Sequence, residues 1–477
     1  MVNLSGCVTF YAFDFHRKLE TDCDSTREKG GILALKATTT STTSIRQVAL
    51  ASFVGTTIEW YDFFIYGTAS ALVFGKLFFP NYDPLMGTLA SFGTYAVGFI
   101  ARPIGGIVCG HYGDRIGRKS MLIFTLLLMG IATALIGCLP TYASIGIWAP
   151  VLLIVLRLAQ GFAVGGEWGG AVLMAVEHAP STRRGFYGSW PQIGVPAGLL
   201  LATVIFGQLA KLPEAALLSW GWRMAFLLSI LLVAVGLFIR LAVVEPPIFT
   251  EIKQAGAAAR IPVLETIRQH PKSLLVAMGA RLADNTSFYI YTVFILTYAT
   301  LPSIGFTRAT VLNAISLAAV LEIFALPAYG LLSDFVGRRP VYLFGALFTA
   351  AFAYPFFRLI ETAQTPWLLT AMVVALVIGH AAMYGPQASF FSELFGTRVR
   401  YTGASLGYQL SSVVAGGLSP LIATDLLRRT GKSWPIALYI VGMALLTALS
   451  VLWAGETAHR EIESGVKLAA KSATAND

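Results

Sequence analysis

The residues of this chain that could do chemistry are ionisable and amide side chains set inside long apolar runs. Glu59, Asp62 and Tyr66 stand at i, i+3 and i+7, so two carboxyls and a phenol share one helix face. Arg102 precedes Pro103, which frees a backbone carbonyl, and Arg157, Gln160 and Glu167 follow one another along a later run. Further on come Arg281, Asp284 and Asn285, a lone Glu322, a stripe of His380, Tyr384 and Gln387, and a stripe of Ser405, Gln409 and Ser412. Gln192 lies between Pro191 and Pro196. Ionisable groups at such depth are costly and usually face a bundle interior or a wet cavity. A carboxyl there can take a proton, and a guanidinium can engage a carboxylate bidentately. The residue types therefore suggest Asp62, with Glu59, for proton coupling. Arg102, Arg157 and Arg281 would attract an anion, with Tyr66, Gln160, Gln192, Asp284, Tyr384 and Gln387 orienting it. The competing readings are structural: Arg157 paired with Glu59 or Asp62, Arg102 as a brace, His380 as a core residue, and the Ser/Gln stripe as interhelical hydrogen bonding.

These positions need helices, and composition says which kind. Mean hydropathy is +0.69, with 56% hydrophobic and 12% charged residues, against about 25% charged in ordinary soluble chains. Apolar runs of about 20 residues number twelve: 47–75, 86–109, 120–139, 148–176, 186–210, 222–243, 273–300, 309–332, 340–360, 367–391, 401–427 and 434–454. Only helices or closed barrels satisfy backbone polar groups in hydrocarbon, and runs this long exclude barrel strands. An all-α polytopic membrane protein with twelve transmembrane helices is expected. Its net charge of +9 follows topology and does not imply nucleic acid: loops after even-numbered helices hold thirteen Lys and Arg, those after odd-numbered helices seven. The excess places the even loops and both termini in the cytoplasm. The four cysteines, Cys7, Cys23, Cys109 and Cys138, show no paired metal spacing, and the six histidines no H-E-x-x-H spacing. Neither metal nor cofactor is expected, and no enzymatic site.

The chain also repeats itself. Gly110, Asp114, Arg115, Gly117, Arg118 and Lys119 form a charged turn after the second run, echoed by Gly330, Asp334, Gly337, Arg338 and Arg339; 330 − 110 gives an offset of 220. Glu177 precedes Arg184 by seven and Glu393 precedes Arg400 by seven; 393 − 177 gives 216. Two pseudo-symmetric six-helix halves follow. The expected organisation is a tail at 1–46, a first half at 47–244, a cytoplasmic linker at 245–271, a second half at 272–455 and a short tail at 456–477.

With these residues in view the chain resembles the major facilitator superfamily, whose signature G-x-x-x-D-R-x-G-R-K is matched from Gly110 to Lys119. The Glu177/Arg184 and Glu393/Arg400 pairs are similar to the E-x6-R elements of its sugar-porter-like branch. Within that branch Ile58 to Gly67, Ala101 to Gly106, Arg157 to Glu167, Arg184 to Ser189 and Gly221-Trp222-Arg223 together resemble the metabolite:proton symporter family. That resemblance implies carriers of shikimate, α-ketoglutarate, citrate or proline/betaine, in a bacterial inner membrane, working as monomers. It further implies that Asp114, Arg115, Arg118, Lys119, Glu177, Arg184, Asp334, Arg338, Glu393 and Arg400 latch the cytoplasmic side. Three intramembrane arginines favour proton-coupled symport of a small organic anion; a zwitterion or sugar substrate is the nearer alternative, and a non-transporting sensor the farther one. Phe335 replaces the arginine of the first turn, so a thinner charge network is expected there.

Overall fold

The computed structural model describes residues 45–116, 118–177, 179–242, 262–395 and 399–458. The expected tail at 1–46 lies almost wholly outside the described residues, as do most of the linker at 245–271 and most of the tail at 456–477. The described chain is all helix and turn.

The long helices, in chain order, are α1 (residues 45–78), α2 (Pro84–Ile116), α3 (Arg118–Cys138), α4 (Trp148–Glu177), α5 (Arg184–Leu209) and α6 (residues 214–242). They continue with α7 (residues 271–299), α8 (Arg308–Val336), α9 (Arg338–Glu361), α10 (Thr365–Leu394), α11 (Arg400–Thr430) and α12 (Trp434–Ala454). Ten of these are long and apolar enough to cross a membrane; α1 and α7 are not among the ten. Both carry the buried ionisable groups, Glu59 and Asp62 on one, Arg281 and Asp284 on the other, and such groups lower mean hydropathy where they replace apolar side chains. Helix α6 starts at Glu214 with Pro213 at its N-cap, eight residues before the apolar count places it, and its first two turns hold Ala215, Ala216, Leu217 and Leu218. The last part of the expected linker is an amphipathic helix, Pro262–Gln269, with Leu264 and Ile267 exposed.

π-Helical turns interrupt several of these helices. Helix α1 carries a π-helical turn at Ser70–Phe74 and α7 one at Ile290–Phe294; 290 − 70 again gives 220.

Helices α2 and α4 touch through backbone. A Cβ added to Gly161 would fall on the Gly98 carbonyl, one on Gly165 on the Arg102 carbonyl, and one on Gly105 on the Phe162 carbonyl. Gly161 and Gly165, four residues apart on α4, thus give a smooth face for close helix contact. Gly169 faces Ser405 and Tyr401 of α11 instead.

Candidate functional site

The glycine contact sets Arg102 of α2 and Arg157 of α4 against the same face of α1. Both side chains are fully buried. The Arg102 guanidinium carbon lies 4.2 Å from the Phe63 ring centre and that of Arg157 lies 4.1 Å from it. Arg102 also lies over Phe99 at 4.2 Å and Arg157 over Tyr66 at 4.2 Å and Tyr95 at 4.6 Å. Arg157 Nη1 donates to Gln160 Oε1 (2.9 Å), and Gln160 Nε2 donates to Thr133 Oγ1 (2.7 Å). Arg157 Nε and Nη2 and the three Arg102 nitrogens have no acceptor of good geometry, and the Tyr289 hydroxyl is close enough to Arg102 to act on it. Ring faces offset part of the cost of burying a guanidinium, but they do not accept its in-plane N–H groups. The arrangement can take up a ligand oxygen.

The carboxyl side of the same face is equally open. Asp62 is fully buried, and neither oxygen accepts a hydrogen bond of good geometry from Arg157 or any other donor. The Ser229 and Thr133 hydroxyls are close enough to act on its charge. The structural alternative, Arg157 paired with Asp62, is not the arrangement seen. Glu59 is also buried, one turn earlier, and Tyr66 donates its hydroxyl to Thr94 Oγ1 at 2.7 Å.

Arg281 differs from the other two arginines. Its Nη1 donates to Asp284 Oδ2 at 2.8 Å and to Gln387 Oε1 at 2.6 Å, and its guanidinium lies 3.3 Å from the Tyr408 ring centre. Its charge is already balanced within the protein, so it is a weaker anion attractor than its residue type suggests. Gln387 passes the network on to the Tyr342 hydroxyl (2.7 Å). Gln192 accepts from Trp168 Nε1 (3.1 Å) and reaches the Tyr384 carbonyl (3.5 Å), while Trp168 stacks on Tyr408 at 3.8 Å between ring centres. Phe63, Tyr95, Trp168 and Tyr408 are site residues that sequence reasoning missed. Their types are ordinary core types, and only the arginines nearby mark them out.

A second cluster lies where α5, α8, α9 and α10 meet. Asp334 accepts from the backbone N–H groups of Gly185 (2.8 Å) and Phe186 (2.9 Å) and from Arg338 Nη1 (2.7 Å). The two oxygens of this one carboxylate at the start of α5 complement its partial positive charge. Arg338 Nη2 meets Glu393 Oε1 at 3.1 Å, and Glu393 Oε2 accepts from Thr457. The network at this turn draws partners from other helices, α5 and α10. Of the E-x6-R residues, Arg400 of the second element reaches Glu177 of the first at 3.6 Å, while Glu393 holds Arg338 of the charged turn. The Arg184 carbonyl accepts from Ser389 (2.6 Å). Gly117, and the side chains of Asp114, Arg115, Arg118 and Lys119, lie outside the described residues, as does the surround of Gly110.

Residues 48–277 match the Sugar (and other) transporter family and residues 274–471 the Major Facilitator Superfamily. The Shikimate transporter of Escherichia coli (strain K12) is 43% identical over 90% of this chain and 97% of its own length. The chain belongs to the major facilitator superfamily. It is a transporter of the metabolite:proton symporter family and not an enzyme. The Inner membrane metabolite transport protein YhjE of the same strain is 40% identical over 88% of this chain and 96% of its own length. The Proline/betaine transporter of that strain is 32% identical over 89% and 86%. The crystal structure of a D-xylose-proton symporter superposes with a TM-score of 0.68 at 17% identity, covering 87% of this chain and 98% of that one. At that identity the likeness shows that this superfamily transporter has the same fold.

Proposed function

We propose that the chain is a proton-coupled importer of a small organic anion, with substrate held at Arg102 and Arg157 and the proton at Asp62, assisted by Glu59. The observation that carries this reading is the pair of fully buried guanidiniums on one phenylalanine ring, with five of their six nitrogens lacking an acceptor of good geometry. A buried donor left unmade costs about 1–3 kcal/mol, more when charged, and a bound carboxylate removes that cost. Tyr66 and Gln160 flank the arginines and orient the ligand; Gln192, Asp284, Tyr384, Gln387 and Arg281 line the opposite wall. Two six-helix halves, 47–244 and 272–455, rock about this site, with the linker and both termini cytoplasmic. The Asp334/Arg338/Glu393 and Glu177/Arg400 contacts act as the cytoplasmic latch, and the Asp114 turn does the same for the other half. The chain works as a monomer.

A second reading is uptake of a zwitterion such as a betaine. The faces of Phe63, Tyr66, Tyr95, Phe99 and Tyr289 gather at the arginines, and aromatic faces also hold quaternary ammonium groups; a relative is named for proline and betaine. Uptake by proteoliposomes with an imposed pH gradient separates the two, using radiolabelled shikimate, a dicarboxylate, betaine, proline and xylose. The anion reading expects gradient-driven accumulation of a carboxylate, lost in Asp62→Asn with exchange retained. Accumulation of betaine or xylose alone would overturn it.

A further inference from the structure

A second pair of buried ionisable groups takes no part in the site above. Glu322 is fully buried in α8, and His380 closes a π-helical segment, Val374–His380, in α10. His380 Nδ1 and Glu322 Oε1 are in direct hydrogen-bond contact, while Glu322 Oε2 has no partner. The walls are aromatic: the Phe288 ring lies 4.6 Å from the imidazole and Tyr384 stacks on it at 5.1 Å. π-Helical turns recur at functional positions, and carboxylate and imidazole together form a unit that can hold or release one proton.

The surrounding charges decide whether the proton matters. From α7 come Asp284, which acts on the imidazole, and Arg281, already joined to Asp284; Tyr289 is on the same helix. Tyr384 comes from α10 itself, Tyr408 from α11 with its hydroxyl 3.3 Å from that of Tyr384, and Tyr342 from α9 through Gln387. Helix α5, packed along α8, carries Arg184 and Tyr187 in its first turn and no other ionisable residue. On α8 itself Arg308, Tyr329 and Asp334 are about two turns away or more. With Arg281 engaged, no free cation among these balances a bare Glu322 carboxylate, so a proton makes the pair net neutral and removing it leaves a buried charge. Helix α8 also bonds across to α5, Thr203 Oγ1 lying 2.8 Å from Ser316 Oγ, so Glu322 sits on a helix of the second half that meets the first.

We propose that Glu322 and His380 form a second proton-binding site, separate from Asp62. One proton adds to the pair, closing an N–H···O bond, and leaves when the rocking of α5 away from α8 lets water reach the pair. This rests on the proton coupling proposed above. The test needs no substrate. Purified full-length protein, wild type and the variants Glu322→Gln, His380→Asn and Asp62→Asn, is titrated between about pH 5 and 8, reading carboxyl and imidazole bands by infrared difference spectroscopy and protons bound per chain. The proposal expects one proton fewer and loss of the same bands in Glu322→Gln and in His380→Asn, each checked for a monodisperse fold, with those bands intact in Asp62→Asn. Spectra of both variants matching wild type would overturn it and leave a permanent helix brace. Failure of wild-type uptake to respond to a pH gradient would instead overturn the coupling reading.

Discussion

Replacing Phe63 by leucine tests whether the arginine pair is held by its aromatic faces. Leucine keeps an apolar side chain at a fully buried position but offers no π face to the guanidiniums at 4.1 Å and 4.2 Å. A desolvated cation–π contact is worth about 2 kcal/mol, and an exposed one about 0.5–1 kcal/mol. Two buried contacts then set the loss at about 2–4 kcal/mol beyond packing. Phe64→Leu supplies the packing reference, because Phe64 is equally buried and touches Trp60, Phe63 and Phe288; that swap alone should cost less than about 1.5 kcal/mol. Reversible unfolding in mixed micelles with increasing SDS gives both values. In a double-mutant cycle, Arg102→Gln should remove about half of the Phe63 excess. If Phe63→Leu is no more destabilising than Phe64→Leu, the rings are mere filling and the account of how the site holds unpaired arginines fails.

Gly161→Ala should destabilise by about 1–3 kcal/mol through overpacking, since its new Cβ meets the Gly98 carbonyl; Gly442→Ala, with nothing within 4 Å, should change little. Equal unfolding midpoints for the two would remove the backbone contact as the cause of the α2–α4 approach. Glu456, beyond α12, gives a pH-dependent case. Burial raises its pKa, but the backbone N–H groups of Ala458, Arg338, Arg339 and Thr457 outweigh burial and hold it below the ordinary glutamate value. A depressed carboxylate contributes stability that is present above its unfolded pKa, about 4.3, and lost as pH falls through the lower native value. Glu456→Gln should therefore lower the melting temperature at neutral pH and narrow its gap to wild type near pH 3; a gap that stays constant would refute the assignment.

How much of this was legible depended on what each residue's neighbours had to be. Asp62, Arg102 and Arg157 stand out because charge in an apolar run is rare, and the runs themselves give most helix ends to within a few residues, the start of α6 and the end of α2 being seven or eight residues off. Pairing was not legible. Arg157 could have met Asp62, and instead bonds Gln160; Arg281 has the same residue type as Arg102, and its charge is balanced by Asp284 one turn away. Glu177 and Glu393 each stand seven residues before an arginine, yet they bind Arg400 and Arg338, because the ends of α4 and α10 are brought beside helices from elsewhere in the chain. Sequence spacing reports what shares a helix face, and these bonds run between helices. Glu322 and His380 were visible singly, but 58 residues apart nothing joined them before the fold did.

On the proposed reading, the linkage between proton and anion follows from which groups are left unpaired. Thr133 stands between the two functions, accepting from the Gln160 that holds Arg157 and facing Asp62. An ionised Asp62 offsets part of the positive potential of the arginines and weakens their hold on a carboxylate; a protonated Asp62 does not. At an effective dielectric constant of about 20, two nearby unit charges interact by a few kcal/mol, one to two powers of ten in affinity. By reciprocity the bound anion raises proton affinity by the same factor. Arg281 cannot supply this linkage while Asp284 and Gln387 satisfy it, so substrate and proton meet on the α1, α2 and α4 wall and the α7 wall contributes shape. A carboxylate whose affinity did not change with pH between wild type and Asp62→Asn would break that chain at its first link.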